Sequence, residues 1–283
     1  MKPSREVSVG LIRTLLSRPP RISDMLEAAL KDLDVGIESV SQQYGFRILF
    51  TNLRDVKSYE ELDKQVLAVL RNEVCEVVKA LPENYVDFVK TFFKLMDIEI
   101  LCLETPPSRV ISMSLGSIAE SKSSDFEGVV AHMHDVCVER GIDSVYVEYL
   151  NRVLKSLTTV DEDYRWVYEA VKSLVALHYY RYLKNSELLR LEIKNFENFL
   201  KILDLDPLTE ITLKKSLEAL SRVDVAELSK YTVYEASEAL DIATKLTYFR
   251  EGLINILTFY LISKYYETKV TRYVFLPKVL KRW

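Results

Sequence analysis

At 283 residues, with 48% hydrophobic and 28% charged side chains, the chain has the composition of a globular protein of one large domain or two to three small ones. A formal net charge of −4 argues against a general nucleic-acid surface and leaves room for a local basic patch. Seven Gly and eight Pro are too few for a strand-and-turn architecture and point to helices joined by short loops.

The opening MKPSREVSVG lacks the apolar core of a signal peptide, and the longest uncharged run, residues 252–263, is too short to span a bilayer. A cytosolic protein is expected. Cys75, Cys102 and Cys137 show no CxxC spacing and suit buried or idle thiols in a reducing compartment. Residues 7–17 read as a short helix with Val7, Leu11, Ile12, Leu15 and Leu16 on one side, stopped by Pro19 and Pro20. Ser23 is the expected N-cap of a helix over 25–33, and a further short helix over 37–44 ends at Gly45 after Tyr44. The polar stretch 51–58 reads as loop. Ser58 then opens a long amphipathic helix through Leu62, Val66, Leu70, Val74, Val77 and Leu81.

The strongest pattern follows at 82–104, PENYVDFVKTFFKLMDIEILCLE. Tyr85, Phe88, Val89, Phe92, Phe93, Leu95, Met96, Ile100 and Leu103 keep the three-and-four spacing of one buried helix face. Pro82 stands where a helix tolerates it, and Pro106 and Pro107 end the run. With almost no loop between them, the helices before and after Pro82 are expected to pack as an antiparallel hairpin. Asp97 and Glu99 interrupt the apolar end. Residues 106–124 hold Pro106, Pro107, Gly116 and seven serines, which places a domain boundary there.

Helical patterns resume at 125–140, 144–157, 161–183 and 187–203, break near Pro207, and continue over 207–220, 224–228, 232–249 and 252–275. No clean apolar–polar alternation appears apart from weak cases such as 47–52. The expected fold class is all-α, as small helical bundles over 1–105, 106–205 and 206–283, each closed by one of three apolar helices, with packing of the opening helix against the C-terminal bundle as an alternative.

Chemical motifs are sparse. His132 and His134 stand two apart, about 200° around a helix, and cannot share a zinc ion, so a solvated helix is the reading for them and Cys137. His178 lies among Tyr179, Tyr180 and Tyr182 and reads as packing. Asp161, Glu162 and Asp163 suit the start of a helix. No GxxxxGK[ST], GxGxxG or GxSxG occurs. The segment 264–283 carries six basic residues against one acid, Glu267; a solvated face is its default reading and a headgroup zone or acidic partner its functional one. Asp97, Glu267 and Arg272 fall at the edges of apolar helices, where pairing is the expected role because an unpaired buried charge costs roughly 3–5 kcal/mol.

The run P-E-x-x-x-x-F-V-x-x-x-x-K-x-x-D-I-x-x-L-x-L over 82–103 resembles the C subunit of the archaeal-type rotary ATP synthase, a relative of the d subunit of the vacuolar ATPase. That family repeats a pattern close to D-x-x-N-L-K-x-x-L-R at the end of a bundle helix. Asp97 matches its acid. LEIKNFENFLKIL looks like a middle copy, with Lys194 at the acid, and ETKVTR looks like a terminal copy with Glu267 and Arg272 intact. SVGLIRTLLSR is similar to the opening helix, with Arg13 as one of its two arginines and Leu11 at the other, and QQYGF holds a matching Tyr44–Gly45. Ile100, Glu197 and Val270 stand where the signature asparagine would be.

The resemblance implies a divergent, non-catalytic central-stalk part without a cofactor: three pseudo-repeated helical bundles forming a funnel. It would lie on the cytoplasmic face of the plasma membrane. The funnel would sit on the proteolipid ring, receive the D and F shaft subunits, and transmit torque. Lys278, Lys281 and Arg282 become candidate contacts to ring or headgroups. An α-helical scaffold and an all-α enzyme with a site around Asp97, His178 or Arg272 are the competing readings. Short solenoid periods of about 34 residues are not found.

Overall fold

The computed structural model describes residues 4–18, 21–31, 58–102, 123–185 and 189–277. It is 86% helical, with no strand among the described residues, so the all-α expectation holds. The short helix read over 37–44, the loop at 51–57 and most of the break at 106–124 lie outside the described residues.

Helix α1 (Arg5–Ser17) starts at Ser4, whose Oγ accepts the Val7 N–H at 3.4 Å, and buries Ser8, Ile12 and Leu15. Helix α2 (Ile22–Lys31) begins ahead of the expected Ser23 cap. Arg21 and Asp24 clasp each other across its first turn, which places Ser23 inside the helix. Helix α3 (Tyr59–Ala80) does begin at Ser58, whose Oγ accepts the Glu61 N–H at 3.2 Å. Helix α4 (Glu83–Met96) buries Tyr85, Phe88, Val89, Phe92, Phe93, Leu95 and Met96, the face read from the sequence.

Two expectations change here. The stretch 82–104 is not one helix: α4 ends at Asp97 (φ −91°, ψ 2°) and a four-residue helix α5 (Ile98–Leu101) restarts beyond it. Nor do α3 and α4 form a hairpin. Leu81 and Pro82 are both extended, which turns the chain aside; α3 packs on α1 while α4 packs on a helix beyond residue 140.

That helix is α7 (Ile142–Leu157), reached from α6 (Ser123–Arg140) through Gly141 at φ 87°. Helix α8 (Arg165–Asn185) starts where Asp163 Oδ1 accepts the Arg165 N–H at 3.0 Å, as its acidic approach suggests. Helices α9 (Leu189–Leu203), α10 (Pro207–Ser221) and α11 (Leu228–Ala243) follow. Asp206 caps α10 by accepting the Leu208 N–H, with Pro207 at the first helical position. Residues 224–227 of the expected helix 224–228 instead form a turn held by Asp224 Oδ1 and the Ala226 N–H, and Leu228 opens α11. Helix α11 runs on into a π-helical turn, Thr244–Tyr248.

The last helix, α12 (Leu253–Val270), continues as a second π-helical turn, Thr271–Phe275. It is apolar around most of its circumference, and a helix of that kind must be enclosed. It is enclosed by α1, α2, α3, α4, α8 and α11. One continuous apolar core runs from Ile12 through Phe92, Val153 and Leu177 to Phe275. Two of the most extensive pairings, α4 with α7 and α1 with α12, join helices on opposite sides of the 106–124 stretch. Among the described residues, no helix is long and apolar enough to cross a membrane.

Candidate functional site

The positions carrying the family resemblance are mostly inward-facing. Asp97, 2% exposed, ends α4, where its N–H bonds to Phe93 O. Burial lowers the pKa of Arg71 on α3, and the Asp97 carboxylate acts against that shift. Arg272 lies in the π-helical turn after α12. Its Nε and Nη2 donate to Asp63 Oδ1 and Oδ2 of α3 at 2.6 and 2.7 Å. Burial alone would lower the Arg272 pKa; the bond to Asp63, together with the charges of Asp63, Tyr273 and Tyr59, outweighs it and the pKa rises. Tyr59 OH donates to the Arg272 carbonyl at 2.8 Å, and burial together with Asp63 pushes that phenol up to about 12.

Glu267 does not meet Arg272. It accepts from Lys264 Nζ at 2.8 Å, and the same ammonium reaches Glu73 of α3 at 2.9 Å. Burial nonetheless raises the Glu267 pKa. Arg13 is exposed on α1, and Lys194 falls on α9. Tyr44, Gly45, Lys278, Lys281 and Arg282 lie outside the described residues. Asp97, Arg272 and the Lys264–Glu267 pair thus all act on α3, where Arg71 senses both Asp97 and Arg272.

A second polar group was not foreseen as a unit. Glu235 of α11, 0% exposed, is gripped from two helices. Its Oε2 accepts from Arg181 Nη1 of α8 at 3.1 Å. Its Oε1 accepts from Lys269 Nζ at 3.2 Å and Tyr266 OH at 3.3 Å, both of α12. His178 Nε2 of α8 lies 3.2 Å from Tyr266 OH. Burial would raise the Glu235 pKa, but Lys269 and Arg181 prevail and bring it to about 2. Burial and the neighbouring Lys269 push His178 well below its ordinary value, so the imidazole is neutral. Lys269 is lowered by burial and then by Arg181, and Glu99 of α5 is raised by burial.

A carboxylate with so low a pKa and so many donors is a weak proton acceptor at neutral pH. Glu235 therefore acts as an anionic pin that fixes α8, α11 and α12 in register. The sequence did carry a signal. Thr232, Glu235, Ala236, Ala239 and Ile242 keep one helical stripe, and a Glu on an apolar stripe marks a buried charge. The partners on α8 and α12 were beyond reach, because nothing local links positions 181, 235 and 269.

The cysteines correct the expectation of three idle thiols. Cys102 and Cys137 form a disulfide with Cα atoms 5.8 Å apart, joining the end of α5 to α6, while Cys75 stays outside the pair. Their separation of 35 residues hid that proximity. His132 is exposed on α6 and sits 3.3 Å from Glu148 of α7. Among the described residues, no three His, Cys, Asp or Glu side chains are placed to share a metal ion. A cleft of 280 Å³ lies over the Lys264–Glu267 pair, walled by Leu15, Ile22, Tyr248 and Phe259. No family model, curated protein or solved structure matches the chain.

Proposed function

We propose that the chain is a non-catalytic coupling component of an archaeal-type rotary ATP synthase, seated between the D and F shaft subunits and the membrane proteolipid ring. The reading rests on the resemblance in the sequence. The observation that carries it furthest is the inward use of the signature positions: Arg272 grips Asp63, Glu267 shares Lys264 with Glu73, and the buried Asp97 acts electrostatically on Arg71. Groups used this way join helices across long sequence distances and stiffen the body that contains them. Stiffness is what a torque-transmitting part requires, since a compliant coupler would dissipate rotation in its own deformation.

The proposal includes a peripheral position on the cytoplasmic face of the membrane and a funnel of three bundles over 1–105, 106–205 and 206–283. Gel filtration of the purified chain with the D and F shaft subunits tests the partners, followed by capture on solubilised proteolipid rings. Co-elution with the shaft and retention on the rings are the expected results. Failure of both would sink the coupling role. Small-angle scattering tests the funnel separately: a compact chain of this length has a radius of gyration of about 19 Å. A value well above that supports the funnel, and one near it removes the funnel from the proposal.

A further inference from the structure

The cleft of 280 Å³ over the Lys264–Glu267 pair opens where α1, α2 and α12 meet the π-helical turn after α11. Much of its wall is apolar: Leu15, Leu16 and Ile22, with Tyr248 and Phe259, whose rings stand 4.6 Å apart. Beneath it two carboxylates share one ammonium. Lys264 Nζ donates to Glu267 Oε2 at 2.8 Å and reaches Glu73 Oε1 at 2.9 Å. Glu73 also accepts from Tyr260 OH at 3.4 Å, whereas Glu267 Oε1 accepts no hydrogen bond among the described residues. The Glu267 side chain keeps 15% of its surface open and lines the cleft, so this carboxylate is presented to whatever enters. Burial raises the Glu267 pKa in spite of Lys264, which marks a carboxylate short of positive charge. Two guanidinium groups line the same cleft from the surface. Arg21 is neutralised by Asp24, which accepts from its Nε and Nη2 at 3.1 and 3.0 Å. Arg18 is exposed and makes no ion pair among the described residues.

These groups define the chemistry of an occupant. Glu267 calls for a positively charged donor, and the aromatic faces of Tyr248 and Phe259 favour a cation as well. Arg18 calls for an anionic group at the mouth, and the aliphatic wall calls for an apolar tail. The volume lies just below the usual range of ligand cavities, about 300–1,000 Å³, so the molecule is small. We propose that the cleft binds a small zwitterion of the amino-acid class with an apolar side chain, its ammonium on Glu267, its carboxylate on Arg18 and its tail against Leu15, Ile22 and Phe259. A simple anion would meet Glu267 head-on, and a simple amine would leave Arg18 unanswered. This inference is independent of the coupling role.

The test is calorimetric titration of the full chain with millimolar leucine and phenylalanine, for which saturable binding is expected. Isocaproate, which is leucine without its ammonium, should bind about 10-fold more weakly or worse. Isopentylamine, which is leucine without its carboxylate, should bind about 2–5-fold more weakly, because Arg18 is solvated. Glu267→Gln should weaken leucine by about 10-fold or more. Arg18→Gln lies on the surface, so it should leave the thermal midpoint in place. It should weaken leucine about 2–5-fold and leave isopentylamine unaffected. No saturable binding of either amino acid to the native chain would overturn the proposal. So would leucine and isopentylamine binding alike, which would mean a bare amine site. Leucine binding that neither substitution weakens would place the molecule elsewhere and would overturn it too.

Discussion

Arg272 and Asp63 stand 209 positions apart, yet the guanidinium holds both carboxylate oxygens in a two-pronged bond, with the side chains 6% and 9% exposed. This pair ties the end of the last helix to the start of α3. Removing one partner strands the other charge in the interior, which costs roughly 3–5 kcal/mol. Arg272→Ala and Asp63→Ala should each lower the urea unfolding free energy by about that amount. The double variant should lose much less than the sum. Additive losses would show that the two side chains do not act as a unit.

Glu162 and Gly252 form a second long-range device. Glu162 accepts the N–H groups of Leu253 and Ile254 at 3.3 and 2.8 Å, capping α12 from a distant part of the chain. Gly252 has φ 110°, and a Cβ there would stand 3.0 Å from Glu162 Oε2. Gly252→Ala should cost about 1–3 kcal/mol through the backbone strain alone. Glu162→Ala should cost about 1–2 kcal/mol as a lost cap. In the double variant the contact with the carboxylate is gone while the strain remains, so calorimetry should show a loss smaller than the sum of the two single losses.

The Cys102–Cys137 bond closes a loop of 35 residues. In the chain-entropy model that is worth about 3–4 kcal/mol. Denatured without reductant, the chain should titrate one thiol, and after reduction three. Cys137→Ser should lower the thermal midpoint by roughly 10 °C. Three thiols from the native oxidised protein would show that the bond does not form.

His178 gives a pH dependence with a definite sign. Its pKa is pushed well below 6.5 in the fold and returns to the ordinary value on unfolding. Below pH 6.5 the unfolded chain therefore binds a proton that the folded chain does not, and the stability from this group falls as pH falls, by about 1.4 kcal/mol per unit. Glu99 and Glu267, both raised by burial, work in the opposite direction above the ordinary carboxylate range. The informative quantity is therefore the difference between native and His178→Gln unfolding curves from pH 7.5 to 5. The variant should lack the fall due to the imidazole; identical slopes would show that His178 titrates alike in both states.

Much of the local structure was legible. Ser58 and the acids before Arg165 marked helix starts, because caps are satisfied within a few residues. The apolar face of α4 was legible because burial follows a 3.6-residue period that one helix can display by itself. The break at Asp97 was not, since the apolar spacing continues through Ile98 and Ile100 while the backbone does not.

The sequence by itself determined that this is an all-α protein with charges placed on the edges of apolar helices. Only the tertiary structure decided what those charges meet across the fold: Asp63 for Arg272, Glu73 for Lys264, and two cations for Glu235. It also decided that α12 lies at the centre and that Glu162 caps it. Helix formation is set by contacts a few residues apart, which periodicity records. Ion pairs, the disulfide and the long-range cap join positions tens to hundreds of residues apart, and their partners are chosen by packing alone.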